Sequence, residues 1–195
     1  MKADAVIIAS GFSRRFGENK LLLNLGGKPL FSHILETVEN CGIFENVFVV
    51  SQYDEILRNT CGCVPMKNTK SHEGISASVK LGAENSNADH IMFFVCDQPL
   101  LRKETILDFY GRFIESKKGM GFFKYVETFG IPAVFSKKYK DEILKLTGDK
   151  GAKSISKDHP EDVFLYEAEN PAELKDCDTK EGFIVIEKIY ESIKN

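Results

Sequence analysis

The sequence predicts an α/β protein built on a doubly wound, mostly parallel sheet, and three observations carry that prediction. Short apolar runs alternate along the chain with amphipathic helical stretches, as a parallel sheet with crossover helices requires. The first run, Ala5-Val6-Ile7-Ile8-Ala9, is continuous and rich in β-branched residues, as a strand buried on both faces should be. It empties into a dozen residues dominated by glycine, serine, arginine and lysine, so a polar loop leaves the carboxyl edge of the sheet, where open α/β sheets bind ligands. At 195 residues the chain suits a single domain, 1–195.

In chain order, Leu21-Leu22-Leu23 and the turn Gly26-Gly27-Lys28 lead to Pro29, well placed at a first helical turn. The spacing of Phe31, Ile34, Leu35 and Val38 predicts a helix that Gly42 stops. Val47–Val50 is the second strand, Asp54 to Asn59 a short helix, and residues 63–66 a third strand. In Asn68 to Gly82, Ser71 is a candidate cap and a helix begins at Ile75. That places Gly74, Ser76 and Ser78 near a helix N-terminus able to face a phosphate or a base; ordinary capping by serine fits the same residues.

Ile91–Cys96 is the most apolar run, hence the predicted central strand, and it ends in Asp97-Gln98-Pro99. A carboxylate there is placed to hold Mg²⁺ against a triphosphate, or else to cap the turn before a helix near Lys103–Phe113. Beyond it the expected elements are a strand at Met120–Val126 and an edge strand or bulged loop at Phe129–Phe135, because proline is excluded from central strands. A helix around Lys138–Leu146, a turn at residues 147–153 running into a short helix, and a strand at Val163–Tyr166 follow. A last helix carries Phe183, Ile186, Ile189 and Ile193 on its apolar face. Residues 120–135 are expected to act as a substrate lid.

Composition narrows the function. No apolar run approaches the roughly 20 residues of a membrane span, and no signal-peptide pattern opens the chain. Five cysteines, with Cys96 inside an apolar run, argue against a disulfide framework, and Cys61 and Cys63 are expected to be buried thiols rather than a metal site. Together these predict a cytoplasmic protein without a membrane partner. The net charge of −3 excludes general nucleic-acid affinity. Yet residues 1–28 hold Lys2, Arg14, Arg15, Lys20 and Lys28 against Asp4 and Glu18, a local +3 that leaves −6 for the rest. A basic loop on an acidic body suits a small polyanion bound at one place.

That loop is neither a P-loop, which needs GxxxxGK[ST], nor a GxGxxG dinucleotide turn. An exposed basic βα loop could have the same composition. With its companions, however, it resembles one family closely. The stretches ASGFSRRFGENKLL, N-x5-GISASVKLG from Asn68, CDQP at Cys96, FGIPAVF at Phe129, LTGDKGAK at Leu146 and DCDT at Asp176 occur in the order and spacing of the molybdenum cofactor cytidylyltransferases. The likeness covers nearly the whole chain. It departs at Ser10, Phe16, Cys96 and Lys180-Glu181-Gly182, none of which removes a charge the chemistry needs.

The resemblance implies a Rossmann-like sheet of the nucleotidyltransferase type and transfer of CMP from CTP to the phosphate of molybdopterin or molybdenum cofactor, with Mg²⁺ as cofactor. It implies a molybdenum hydroxylase or its maturation factor as partner. Lys20, Arg15 and Asp97 would be catalytic. The nucleotide would be held by Ala9, Ser10, Gly11, Arg15, Lys20, Asn68, Gly74 and Ser76, the metal by Asp97 and Asp178. Gly130, Pro132, Gly148, Asp149 and Lys150 would form the pterin side. His72 would either contact a phosphate or remain an exposed loop residue. Guanylyl and sugar-1-phosphate relatives share the plan. Asn19-Lys20-Leu21 and the Cβ of Ser10 point away from the guanylyl group, which tends to carry Asp-Lys-Gly and Gly-Gly there. A non-catalytic cofactor carrier would have no use for two metal carboxylates.

Overall fold

The structure, a computed structural model, describes residues 1–11, 16, 17, 19–60, 62–125 and 128–194. Its strands are β1 (Ala3–Ile8), β2 (Asn24–Leu25), β3 (Lys28–Pro29), β4 (Phe44–Ser51), β5 (Val64–Lys67), β6 (His90–Val95), β7 (Met120–Lys124), β8 (Phe129–Ser136) and β9 (Val163–Tyr166). The helices are α1 (Leu30–Cys41), α2 (Asp54–Leu57), α3 (Ile75–Asn85), α4 (Lys103–Ser116), α5 (Lys140–Leu144) and α6 (Lys180–Lys194). Seven strands form one sheet in the order β5-β4-β1-β6-β8-β7-β9, and β2 with β3 makes a small antiparallel pair. All pairings in the large sheet are parallel except those of β8, which runs against both neighbours. The sheet is therefore mostly parallel, with β6 as its middle strand, where the apolar run Ile91–Cys96 predicts a central strand.

Alternation along β1 divides the interior into two layers. Ala5 and Ile7 join α1, α4 and Ile186 of α6 on one face; Val6 and Ile8 join α3 and α5 on the other. Helices on both faces make the fold doubly wound. Helix α1 ends as its sequence predicts, at Gly42 in the left-handed region (φ 66°), which glycine adopts without a Cβ penalty. On the second face α3 lies so close to β1 that a Cβ at Gly82 would come within 2.3 Å of Val6 Cγ1. Gly82→Ala is expected to destabilise the protein by about 1–3 kcal/mol through overpacking, seen as a lower Tm in thermal circular dichroism.

Four expectations need correction. Phe129–Phe135 is neither a loop nor an edge strand: β8 lies inside the sheet, between β6 and β7. Pro132 is tolerated because pairing with β7 jumps from Phe122↔Ala133 to Phe123↔Gly130, while pairing with β6 reaches only to Ala133. Ile131 and Pro132 form the bulge, where a missing N–H costs no ladder bond. Nor is the 120–135 stretch a lid, since Met120, Phe122, Phe123, Val134 and Phe135 are completely buried. Ser71 does not cap α3; it opens a 3₁₀ turn, Ser71–Glu73, and Gly74 occupies the cap position of α3 with no side-chain bond. Finally, Cys63 is half-buried rather than buried, and Cys61 lies outside the described residues. In α6, Ile186 reaches the core whereas Ile193 is 58% exposed. No helix among the described residues is long and apolar enough to cross a membrane.

Candidate active site

Parallel register aligns the carboxyl ends of β1, β4 and β6, since Ile8 pairs with both Val50 and Val95. The residues that follow these strands therefore meet at one edge. They open onto a cleft of about 540 Å³ lined by Ile8, Ser10, Gly11, Lys20, Leu21, Ser71, His72, Gly74, Ile75, Ser78, Val95, Cys96, Asp97, Asp149 and Asp178.

The floor of the cleft is a charged cluster. Asn19 accepts from Leu21 N–H and starts a 3₁₀ turn, Lys20–Leu22, which presents Lys20 inward. Lys20 Nζ donates to Asp97 Oδ2 at 2.6 Å and to Asp178 Oδ1 at 2.9 Å. Asp178 arrives there because Cys177 N–H bonds the Asp97 carbonyl at 2.8 Å, fastening the DCDT loop to the end of β6. Burial works to lower the Lys20 pKa, but the charges and hydrogen bonds of Asp97 and Asp178 outweigh it and hold the ammonium above the usual lysine value. Asp176, exposed as a residue, turns its carboxyl against Gln98 Nε2 at 2.8 Å. Burial of that carboxyl, then the Asp97 charge, pushes it up to about 6.

Asp97 and Asp178 converge on the Lys20 ammonium, and Asp97 Oδ1 is buried without a hydrogen-bond partner among the described residues. Hard oxygen donors with one buried oxygen unsatisfied fit a divalent cation such as Mg²⁺, which binds through one or two carboxylates plus substrate phosphates. No third His, Cys, Asp or Glu joins them in a metal-holding group among the described residues.

Of the residues singled out in the sequence, the cleft brings together Ser10, Gly11, Lys20, Gly74, Asp97, Asp149 and Asp178, with His72 beside them. Arg15 lies outside the described residues. Ala9 is buried behind the first loop. Asn68 lies behind the wall, donating to Ser78 Oγ at 2.9 Å and accepting from Lys70 N–H. Ser76 is buried too, and its N–H bonds the Gly148 carbonyl at 3.2 Å. That bond explains the glycine at 74: a Cβ there would approach Gly148 to 2.5 Å and keep the 147–151 turn off α3. Gly130, Pro132, Gly148 and Lys150 do not line the cleft. Sequence reading passed over Asp176, although its motif was in view, and over Gln52 at the end of β4, which carries no motif signal.

A lysine and paired carboxylates at the carboxyl edge of a mostly parallel sheet fit a nucleotidyltransferase-type α/β domain. The chain matches the family described as MobA-like NTP transferase domain over residues 5–163, a span that ends before Asp178. It belongs to that family and is a nucleotidyltransferase. Among curated relatives, it is 28% identical over 174 residues to the "Probable molybdenum cofactor guanylyltransferase" of Aquifex aeolicus, covering 87% of this chain and 80% of that one. A protein of the same name from Pyrococcus horikoshii is 42% identical over 60 residues, only 30% of this chain and 31% of the relative. The pseudaminic acid cytidylyltransferase of Campylobacter jejuni is 30% identical over 129 residues, 60% of this chain and 55% of that one. Among solved structures, a nucleotidyl transferase from Methanothermobacter thermautotroptrophicus superposes with a TM-score of 0.83 at 19% identity, over 98% of this chain and 99% of that one. Rv0371c of Mycobacterium tuberculosis, in complex with manganese, gives 0.77 at 18% identity, over 96% and 99%. At such identities the two structures speak for the fold.

Proposed function

We propose that this enzyme transfers CMP from CTP to the phosphate of molybdopterin, or of the molybdenum cofactor built on it, and releases pyrophosphate. The observation that carries the transfer chemistry is Lys20 Nζ held between Asp97 and Asp178 on the floor of an open cleft. An oxygen of the acceptor phosphate attacks the α-phosphorus, the bond to the bridging oxygen breaks, and pyrophosphate departs with the electron pair. The attacking oxygen is already anionic at neutral pH, so alignment and charge neutralisation suffice and no general base is needed.

In this reading Lys20, kept protonated by its carboxylate neighbours, turns to the α-phosphate, while the Gly11 backbone and Arg15 hold the β and γ phosphates. Ala9, Ser10, Asn68, Gly74 and Ser76 shape the nucleoside side, the buried ones by supporting the wall. Gly130, Pro132, Gly148, Asp149 and Lys150 serve the pterin side, of which Asp149 reaches the cleft. Asp97 and Asp178 would hold Mg²⁺, which when bound neutralises triphosphate charge. A molybdenum hydroxylase or its maturation factor would receive the product.

The choice of CTP rests on Ser10. It lines the cleft, and its hydroxyl is engaged by the Val50 carbonyl at 3.0 Å; in this reading its Cβ, rather than its hydroxyl, narrows the slot against a purine. A second reading, GTP as donor, is favoured by the names of the Aquifex and Pyrococcus relatives. Pyrophosphate release with molybdopterin and CTP, GTP, ATP or UTP tests both. Wild type is expected to prefer CTP, and Ser10→Gly to shrink the preference by roughly tenfold, since shape differences of this size are worth about 1–3 kcal/mol. Preference for GTP would overturn the cytidylyl assignment and leave nucleotidyl transfer standing; no pyrophosphate from any pair would overturn both.

A further inference from the structure

Three consecutive side chains at the end of β4 hold three consecutive carbonyls of the first loop. Ser51 Oγ donates to Ala9 O at 2.8 Å, Gln52 Nε2 to Ser10 O at 2.7 Å, and Tyr53 OH to Gly11 O at 3.0 Å. The side chains lengthen in step as the loop leaves the sheet. Along an extended strand successive carbonyls point to alternate sides, so carbonyls held in a row toward one strand end mark a different backbone. N–H and C=O point in opposite directions across a trans peptide. The N–H groups of Ser10 and Gly11 are thereby both turned away from β4, and both residues line the cleft. Successive N–H groups aimed one way form a concavity that takes an anion.

Gln52 does one thing more. Its Oε1 accepts from Ser71 Oγ at 2.9 Å, and Ser71, in the turn before α3, lines the same cleft. One side-chain amide thus ties together two loops that line the cleft. It is half-buried.

We propose that Gln52, assisted by Tyr53, is a positioning residue for the nucleoside triphosphate: it presets the Ser10–Gly11 backbone and locks it to the Ser71 loop before the nucleotide arrives. This rests on the function proposed above. Preorganisation of this kind appears as affinity, because the ordering cost has been met before binding.

The test is calorimetric titration of CTP and of GTP, with Mg²⁺ and no acceptor, into wild type, Gln52→Ala, Gln52→Glu and Tyr53→Phe, alongside thermal melts. Gln52→Ala is expected to weaken the preferred nucleotide about tenfold, the size of one or two lost hydrogen bonds, with Tm lowered by no more than about 3 °C. Gln52→Glu keeps the acceptor for Ser71 but loses the donor to Ser10, and should weaken binding at least as much. Tyr53→Phe keeps the packed ring and should cost about threefold. In steady state, KM for the nucleotide should rise while KM for the acceptor stays put. If wild type binds nucleotide and both Gln52→Ala and Tyr53→Phe bind it equally well, the proposal falls alone. If wild type binds neither nucleotide, the proposed function falls and takes this inference with it.

Discussion

Asp97→Asn is expected to leave the far-ultraviolet circular dichroism spectrum unchanged and to cut pyrophosphate release by at least about a hundredfold, the scale set by removing one charge-stabilising group from a phosphoryl- or acyl-transfer site. Asp97 follows the central strand, and its carboxylate accepts from Lys20 while its other oxygen remains unsatisfied among the described residues. Asparagine preserves shape and one carbonyl oxygen but removes the charge that would hold a divalent ion beside the triphosphate. Manganese binding, followed by electron paramagnetic resonance, should weaken in parallel. Unaltered turnover would remove Asp97 from the chemistry, and unaltered manganese affinity would move the metal elsewhere.

Lys20→Ala is expected to cost more in turnover than in nucleotide affinity. A hydrogen bond to a charged group is worth about 1.5–3 kcal/mol, or roughly ten- to hundredfold, and this one should tighten as charge develops on the transferred phosphoryl group. The structure adds a second expectation. Lys20 Nζ lies between the two carboxylates that would take the metal, with side-chain exposures of 11% for Lys20, 21% for Asp97 and 56% for Asp178. Without the competing ammonium, manganese should bind the nucleotide-free Lys20→Ala protein at least as tightly as it binds wild type. A rise in KM for the nucleotide alone would make Lys20 a ground-state anchor. Weaker manganese binding would mean that Lys20 organises the carboxylates rather than competing at them.

The sequence by itself determined most strands of the large sheet, most helix starts and the nucleotidyltransferase class, because these depend on local regularities. Continuous β-branched runs marked β1 and β6, Gly42 marked the end of α1, and the loop after Ala9 announced its polarity in composition. Where a property depended on neighbours far along the chain, only the tertiary structure decided it. Nothing local to Phe129-Gly130-Ile131-Pro132 tells that pairing with β7 skips two residues, which is what lets a proline-bearing strand lie inside the sheet. The sequence placed Asp97 at the edge and singled out Asp178, 81 positions later, by its motif. Their meeting on one ammonium needed the Cys177–Asp97 backbone bond. Gln52 had no motif to mark it, because its two partners, Ser10 and Ser71, come within reach of one amide only when β1, β4 and α3 are packed. Side-chain periodicity is written within a few residues, whereas a binding cleft is assembled from strand ends whose register is set by the whole sheet.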